Sequence, residues 1–219
     1  MEFFTLDKRG ALIALIMGAV IVLAGRAMGF YFLGVILWFL VLGGLVTQFG
    51  KTRKKAIGVY EKSRGWKNVV ANGIIPTLMA IVYFLIPSSM INPEFIVVAY
   101  VASVAAITAD KFASEIGVLN GKPMMILSLK EVKRGVSGGI TILGTAAGIL
   151  GAMLISISLF WSSNFSYYTI VVVISAFFGN IVDSLAGVYE TAGIGNKYTS
   201  NVLCGMAGAL LAMLILLIV

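Results

Sequence analysis

Two aspartates stand in parts of the chain where an apolar environment makes a carboxylate costly. Asp110 directly follows a long apolar run, and Asp183 lies well inside another, at residues 167–188. An ionised carboxylate within a membrane helix costs about 2.5–3.5 kcal/mol on insertion scales and usually has a functional reason. Mg²⁺ prefers such oxygen ligands and brings substrate phosphates with it. Asp110 and Asp183, with Glu115 nearby in sequence, are therefore predicted to bind Mg²⁺, and both aspartates are predicted to be catalytic.

The predicted helix that carries Asp183 has a polar face. Asn180, Asp183, Gly187 and Glu190 follow one another at offsets of three, seven and ten residues from the first. These offsets place the four residues on one side of a helix. A hydrogen-bonded aspartate that only holds helices together leaves a similar pattern, so the sequence alone leaves a metal or phosphate site and a structural carboxylate both open.

Cations and glycines are concentrated after Asp110, between residues 121 and 141. Glycine lets backbone amides approach an anion, and a helix N-terminus favours negative charge, so this segment is predicted to bind phosphate. The segment lacks the ending of a Walker A loop. Basic residues that only determine the membrane topology, beside a glycine-rich helix start, would give the same pattern, so this alternative stays open. The predicted phosphate-binding residues are Lys122, Lys130, Lys133, Arg134, Gly135, Ser137, Gly138 and Gly139, and Lys130 and Lys133 are also predicted to be catalytic.

Three asparagines extend the predicted phosphate site. Asn68 and Asn72 are four residues apart at the start of the third apolar run and therefore share a helical face. Asn201 begins the last apolar run in a similar sequence context. All three are predicted to contact phosphate. The basic loop before Asn68, at residues 51–67, is explained equally well by attraction to anionic lipid head groups.

The composition identifies a lipid bilayer as the solvent of these elements. The chain has 219 residues, of which 60% are hydrophobic and 11% charged. A soluble domain of this length could not cover so much apolar surface. A single cysteine, Cys204, and the absence of histidine exclude a disulfide framework, a thiolate or histidine metal site and a histidine proton shuttle. Any chemistry therefore depends on carboxylates, basic side chains, hydroxyls and amides.

Seven apolar runs predict an all-α, polytopic membrane protein with a single domain over residues 1–219. The runs lack the alternation of barrel strands, so helices are the expected spanning structure. The third run is marginal because it contains Asn72 and Pro76, and the fourth because it is short. The predicted spans lie near residues 10–26, 29–49, 70–87, 94–109, 138–160, 167–188 and 201–219.

The distribution of basic residues predicts the orientation in the cell membrane. With the N-terminus in the cytoplasm, all 16 Lys and Arg residues except Arg26 fall on the cytoplasmic side. The candidate site then faces the cytoplasmic leaflet, where membrane lipids are expected partners. Nucleic acid is excluded as a partner, because the basic clusters are short loops between spans and form no separate domain.

The motifs resemble those of the phytyl-phosphate kinase family, which includes the eukaryotic transmembrane protein 19. A looser likeness extends to the CTP-using membrane enzymes dolichol kinase, phytol kinase and CDP-diacylglycerol synthase. The resemblance covers the chain from about Lys62 to the C-terminus, and Lys111 departs from it by standing where the family has a small polar residue. The matching motifs are R64-x-x-x-N-V-V-A-N-G73, D110-x-F-A-S-E-I-G117, the segment from Lys130 to Gly139, I-V-D183-S-L-x-G187 and N196…N201.

This resemblance implies phosphorylation of an isoprenoid monophosphate, of the phytyl or geranylgeranyl phosphate type, to the diphosphate. It also implies Mg²⁺ and CTP or another nucleotide as the phosphoryl donor. The isoprenoid tail is expected between helices near Phe112, Phe177 and Phe178. The alternative is a membrane transporter of a phosphorylated or other anionic solute, since an intramembrane Asp183 beside Asn180 is also typical of ion-coupled carriers. The gathering of polar groups at one membrane face favours the kinase.

Overall fold

The computed structural model describes residues 6–60, 65–119 and 121–218, and the chain within these ranges is almost entirely helical. A pair of two-residue antiparallel strands, β1 (Met124–Met125) and β2 (Gly139–Ile140), interrupts the helices. Single 3₁₀ turns lie at Arg26–Met28 and Ile157–Leu159. The α-helices are α1 (Lys8–Ala24), α2 (Gly29–Gln48), α3 (Lys51–Ala56), α4 (Trp66–Leu85), α5 (Pro93–Gly117), α6 (Ile142–Ser156), α7 (Phe165–Thr191) and α8 (Lys197–Ile218).

Long apolar helices confirm the predicted all-α, multi-pass membrane protein. Among the described residues, six helical segments are long and apolar enough to cross a membrane, and they contain α2 and α4 to α8. The first helix, α1, has only 17 residues, so the predicted count of seven spans is not confirmed. The seven long helices nevertheless coincide in position with the seven apolar runs of the sequence.

The boundary of α5 differs most from the prediction. The helix begins at Pro93, where the Asn92 side chain accepts a hydrogen bond from the Glu94 amide at 3.0 Å. It continues to Gly117 instead of ending near residue 109, because the residues that follow the apolar run are still compatible with a helix. Asp110 therefore lies inside the helix, about two turns before its end, and not at the end of a span.

The start of α6 also differs from the prediction. The fifth span was expected to begin near residue 138, but Gly139 and Ile140 pair with β1. The helix begins at Ile142, after Thr141 caps it by accepting a hydrogen bond from the Gly144 amide at 2.9 Å. The glycine-rich segment is therefore held between a strand pair and a capped helix N-terminus.

α5 forms the centre of the bundle. The most apolar part of this helix is 83% buried, against 44% or less for the other candidate spans. Small residues permit this packing: a Cβ added at Gly179 of α7 or at Gly208 of α8 would lie within 2.8 Å of the Ala106 Cβ. Both helices can therefore approach α5 closely, as small residues allow in membrane bundles.

The two ends of the bundle differ in charge. We call the end formed by the C-termini of α2, α5 and α7 and the N-termini of α1, α4, α6 and α8 the site end. Every described Lys and Arg except Arg26 lies at the site end or in the loops there. Arg26 lies at the opposite end, with its guanidinium 4.3 Å from the centre of the Phe84 ring. This asymmetry predicts that the site end is cytoplasmic.

Thiol labelling of single introduced cysteines tests this orientation. Cys204 is buried, so background labelling is expected to be low. Ser128→Cys lies in the exposed loop of the site end, and Met90→Cys is exposed at the opposite end. A membrane-impermeant maleimide should label Met90→Cys in intact cells and Ser128→Cys only after permeabilisation. The reverse labelling pattern would show that the site end lies outside the cell and would contradict the predicted orientation.

Candidate functional site

A polar cavity of about 350 Å³ lies at the site end, between α5, α6, α7 and α8. The carboxylate of Asp110 comes from α5, and those of Asp183 and Glu190 come from α7. Lys197 and Asn201, in the first turns of α8, complete the polar wall. Acidic and basic groups from elements distant in sequence are thus gathered in one enclosure.

The carboxylates of Asp110 and Asp183 face one another closely enough to interact directly. The Ser200 hydroxyl lies beside Asp183. Asp183 Oδ1 is nevertheless buried without a hydrogen-bond donor, and so is Glu190 Oε1. A buried carboxylate oxygen that lacks a partner is unfavourable, and a bound cation would satisfy it.

Two helix N-termini also line the cavity. The first turns of α6 and α8 border it, so the positive ends of both helix dipoles lie at the same space as the carboxylates. Asn196 caps α8 by accepting a hydrogen bond from the Tyr198 amide at 2.9 Å. Lys197 adds a full positive charge, close enough to act on Asp110. Acids for a cation, and a lysine with two helix N-termini for an anion, together suit a metal-bound phosphate.

Gly138 brings the glycine-rich segment directly onto α7. Its backbone has a φ of +78°, which favours glycine, and an added Cβ would lie 2.9 Å from the Val188 amide nitrogen and 3.0 Å from the Ser184 carbonyl oxygen. A Cβ at Gly187 would in turn lie 2.5 Å from the Gly138 nitrogen. This contact lets the Ser137 hydroxyl donate to Glu190 Oε2 at 2.9 Å, so the loop becomes part of the cavity wall.

Gly138→Ala is expected to destabilise the protein and to lower activity at the cavity more than Gly121→Ala. Both positions have positive φ, so both variants carry the left-handed strain of about 1–2 kcal/mol. Only Gly138 contacts another backbone, whereas an added Cβ at Gly121 meets nothing within 4 Å. Overpacking adds about 1–3 kcal/mol. Thermal midpoints of the two variants in detergent measure the difference, and equal midpoints would contradict the close contact.

Some of the residues that the sequence singled out do come together. They share the wall of the polar cavity although they belong to four different elements. The predicted residues that line it are Asp110, Gly135, Ser137, Gly138, Gly139, Asp183 and Asn201.

Glu115, which the sequence predicted as a metal ligand, does not line the polar cavity, and the structure does not bring it to Asp110 and Asp183. Glu115 Oε2 forms an ion pair of 2.6 Å with Lys54 Nζ, and Oε1 accepts a hydrogen bond from the Thr47 hydroxyl at 3.0 Å. Lys111 forms a second ion pair with the same carboxylate. The reason is helical geometry: five residues along a helix turn the side chain by about 140°, so Glu115 points away from the face of Asp110.

The four predicted cations of the loop also lie outside the cavity wall. Lys122, Lys130, Lys133 and Arg134 are all exposed, and the structure does not place these predicted phosphate ligands in the wall of the cavity. Lys122 pairs with exposed Glu131 at 3.3 Å. The β1–β2 pairing fixes both ends of the intervening segment, so its glycines return to α7 while its charged part projects into solvent.

Two charged residues that line the cavity were not assigned by the sequence reasoning. Glu190 shares the helical face of Asp183, seven residues further on, and this spacing was a usable signal. Lys197 is the single basic residue that lines the cavity within the described ranges, and it stands one helical turn before Asn201. Neither signal was specific, because the sequence does not show which helices are neighbours.

Asn68 and Asn72 lie at the edge of a different, larger cavity. They are linked to the polar cavity, because Asn201 Nδ2 donates a hydrogen bond to Asn72 Oδ1 at 3.2 Å. The amide of Asn72 in turn donates to Asn68 Oδ1 at 2.9 Å. Lys62 and Arg64, at the start of the first shared motif, lie outside the described residues.

Comparison with known proteins identifies relatives along most of the chain. A family model described as integral membrane protein DUF92 matches residues 2–205. The chain is 38% identical, over 214 residues, to an uncharacterized membrane protein of Methanocaldococcus jannaschii, and the match covers 96% of this chain and 85% of that protein. No solved structure matches the chain.

Two more distant relatives come from photosynthetic organisms. An uncharacterized membrane protein of Synechocystis is 31% identical over 127 residues, which is 56% of this chain and 48% of that protein. Protein VTE6, chloroplastic, of Arabidopsis thaliana is 26% identical over 168 residues, which is 74% of this chain and 50% of that protein. The chain thus matches about half the length of each of these two.

Proposed function

The chain belongs to the DUF92 family of integral membrane proteins, and from that premise and the geometry of the polar cavity we propose that it is a prenyl-phosphate kinase. The enzyme transfers the γ-phosphoryl group of CTP or another nucleoside triphosphate to an isoprenoid monophosphate. The observation that carries the proposal is the pair Asp110 and Asp183, facing each other beneath two helix N-termini. The motif resemblance to phytyl-phosphate kinases supports it, and the distant likeness to VTE6 hints in the same direction.

The residues of the cavity fit Mg²⁺. The donors are carboxylate oxygens, which this cation prefers, and one oxygen of Asp183 is buried without a partner. Among the described residues no group of three or more His, Cys, Asp or Glu side chains is arranged to hold a metal by itself. Mg²⁺ does not require one, because it is commonly held by one or two carboxylates together with waters and substrate phosphates. Asp110 and Asp183 would hold the ion, which when bound neutralises charge on the phosphate oxygens.

The reaction needs little from the protein except position and charge. An oxygen of the lipid monophosphate attacks the γ-phosphorus of the nucleotide, and the bond from that phosphorus to the β–γ bridging oxygen breaks. The products are the lipid diphosphate and a nucleoside diphosphate. The attacking oxygen is already ionised at neutral pH, so no strong general base is required.

The chain's own groups stabilise the transferred phosphoryl group. The ammonium of Lys197 and the positive dipole ends of α6 and α8 border the space where negative charge would accumulate. Preorganised donors of this kind are often the largest contribution to catalysis of phosphoryl transfer. The close packing of Gly138 on α7 holds the glycine-rich segment at the edge of this space.

The depth of the cavity favours a kinase over a transporter. Asp110 and Asp183 lie seven and eight residues from the ends of their helices, or roughly 10–12 Å. Further along α5 the buried side chains are mainly apolar, such as Val97, Val101 and Val104, and the buried polar ones described there, Ser103 and Thr108, are uncharged. An ion-coupled carrier would be expected to place charged groups near the middle of the membrane.

Purified protein in lipid nanodiscs provides the test. It should convert geranylgeranyl or phytyl monophosphate to the diphosphate when Mg²⁺ and CTP, or another nucleoside triphosphate, are supplied. Mass spectrometry of the extracted lipids detects the product directly. If folded protein forms no diphosphate with any of these lipids and nucleotides, the proposal fails. Uptake of a labelled phosphorylated solute into proteoliposomes, with no product, would establish the transporter instead.

A further inference from the structure

A second cavity, of about 860 Å³, runs between α1 and α2 and ends against the first turns of α4. We call it the α1–α2 groove. It is long and apolar along the two helices, and its volume falls within the range of about 300–1,000 Å³ that is typical of small-molecule sites. Side chains that form this apolar part include Leu15, Met17, Val22, Leu33, Leu37 and Leu40.

One end of the groove is polar. Asn68, Asn72, Thr47 and Lys111 all line it there, at the site end of the bundle. The groove thus has an apolar body and a single polar mouth, which is the shape required by a ligand with one long hydrocarbon chain and one polar head.

The polar mouth carries an excess of positive charge. Lys111 forms an ion pair with Glu115, and the same carboxylate pairs with Lys54. Lys54 is completely buried and also donates to the Val46 carbonyl at 2.9 Å. Two ammonium groups and one carboxylate leave this cluster with one net positive charge, so it complements an anionic head group.

The groove and the polar cavity are lined by neighbouring residues. Asp110 and Lys111 are consecutive residues of α5, yet Asp110 lines the cavity and Lys111 lines the groove. Asn72 of the groove accepts a hydrogen bond from Asn201 of the cavity at 3.2 Å. A phosphate held at the mouth of the groove would therefore lie next to the site of phosphoryl transfer.

We propose that the α1–α2 groove binds the isoprenoid chain of a phosphorylated lipid, with the phosphate at Lys111 and Asn68. This inference rests on the proposed kinase function and adds the location of its lipid substrate. It also gives Lys111, which departs from the family pattern, a role at the lipid phosphate. The tail contacts expected from the sequence are different: Phe112, Phe177 and Phe178 do not line the groove, and Phe112 packs against Gly151 of α6.

Filling the groove should change the preference for chain length. Gly18 lines it, and an added Cβ there would meet only Leu33 Cδ1, at an ordinary contact distance of 3.4 Å, so α1 can carry a larger side chain. Gly18→Leu is expected to raise the ratio of the KM for geranylgeranyl phosphate to the KM for geranyl phosphate by about tenfold or more. The reason is that the larger side chain removes space for a few methylenes of the longer lipid. Gly34→Leu is the matched control, because Gly34 does not line the groove and an added Cβ there meets nothing within 4 Å.

Photocrosslinking locates the chain without any turnover. A geranylgeranyl-type monophosphate that carries a benzophenone is added to the full-length protein in phosphatidylglycerol nanodiscs without nucleotide. Crosslinks mapped by mass spectrometry should fall on α1 and α2, and geranylgeranyl monophosphate should compete whereas added phosphatidylglycerol should not. Crosslinks spread over the whole lipid-facing surface, or equal competition by phosphatidylglycerol, would overturn the assignment, as would an unchanged KM ratio in Gly18→Leu.

The two proposals fail in distinguishable ways. Specific crosslinks in α1 and α2 without formation of a diphosphate would support the groove and refute the kinase. Formation of a diphosphate with crosslinks on α6, α7 or α8 would refute the groove and leave the kinase standing.

Discussion

Asp183→Asn is expected to lower phosphoryl transfer by at least about 100-fold, the usual cost of removing a group that stabilises charge in the transition state. Asp183 faces Asp110 in the polar cavity, and one of its oxygens is buried without a donor. Asparagine keeps the size of the side chain but removes the charge that would hold Mg²⁺. Transfer is measured with purified protein in nanodiscs at saturating nucleotide.

Asp110→Asn should have an effect of the same order, and the double variant should be little worse than either single one, because both act on one site. Glu94→Gln is the control. It changes a carboxylate of the same helix α5 at the opposite end of the bundle, where Glu94 accepts a hydrogen bond from the Tyr168 hydroxyl at 2.7 Å. Its transfer rate should stay close to that of the unchanged protein. Near-normal rates in both aspartate variants would refute the site.

Glu115→Gln is expected to destabilise the fold by about 3–5 kcal/mol, because it removes the only carboxylate that the structure shows paired with the buried ammonium of Lys54. Lys111 loses its ion pair in the same substitution. The affected contacts join α3 and the C-terminus of α2 to α5. Thermal unfolding in detergent, followed by circular dichroism, measures the effect.

Glu131→Gln is the matched control for this substitution. It breaks the exposed ion pair with Lys122, which is expected to contribute about 1 kcal/mol or less. The comparison also separates two roles for Glu115. If Glu115 is a metal ligand, as the sequence predicted, its substitution will raise the Mg²⁺ concentration needed for transfer at little cost in stability. That outcome would contradict a purely structural role for Glu115.

The fold was predictable because a membrane leaves few alternatives. Long apolar runs without strand alternation must form helices that satisfy their own backbone groups, so the helix positions followed from hydropathy. The extension of α5 beyond residue 109 was missed for a physical reason. In its last two turns, Asp110 and Ser114 line the polar cavity. Lys111 and Glu115 of the same turns form an ion pair on another side of the helix. The segment is therefore polar and still helical.

The candidate site was only partly predictable. Asp183 was found because a carboxylate in an apolar run is costly and needs a reason, and Asp110 because it follows the apolar run that ends at the same predicted membrane face. The partner of Glu115 could not be found in this way, since Lys54 is 61 residues away in sequence. The loop lysines were assigned to the phosphate by proximity in sequence to the glycines, but the β1–β2 pairing separates the two. Lys197 belongs to a helix whose neighbours only the structure shows.

The fate of the nucleotide's γ-phosphate tests the central claim most directly. The protein is incubated with Mg²⁺, geranylgeranyl monophosphate and a nucleoside triphosphate radiolabelled at the γ-position, and the lipids are then extracted. The account predicts that label appears in the terminal phosphate of the lipid diphosphate, with one nucleoside diphosphate released for each lipid labelled, and that Asp183→Asn abolishes this transfer. Release of pyrophosphate together with an unlabelled nucleotidyl lipid would contradict a kinase and show nucleotidyl transfer in the same cavity.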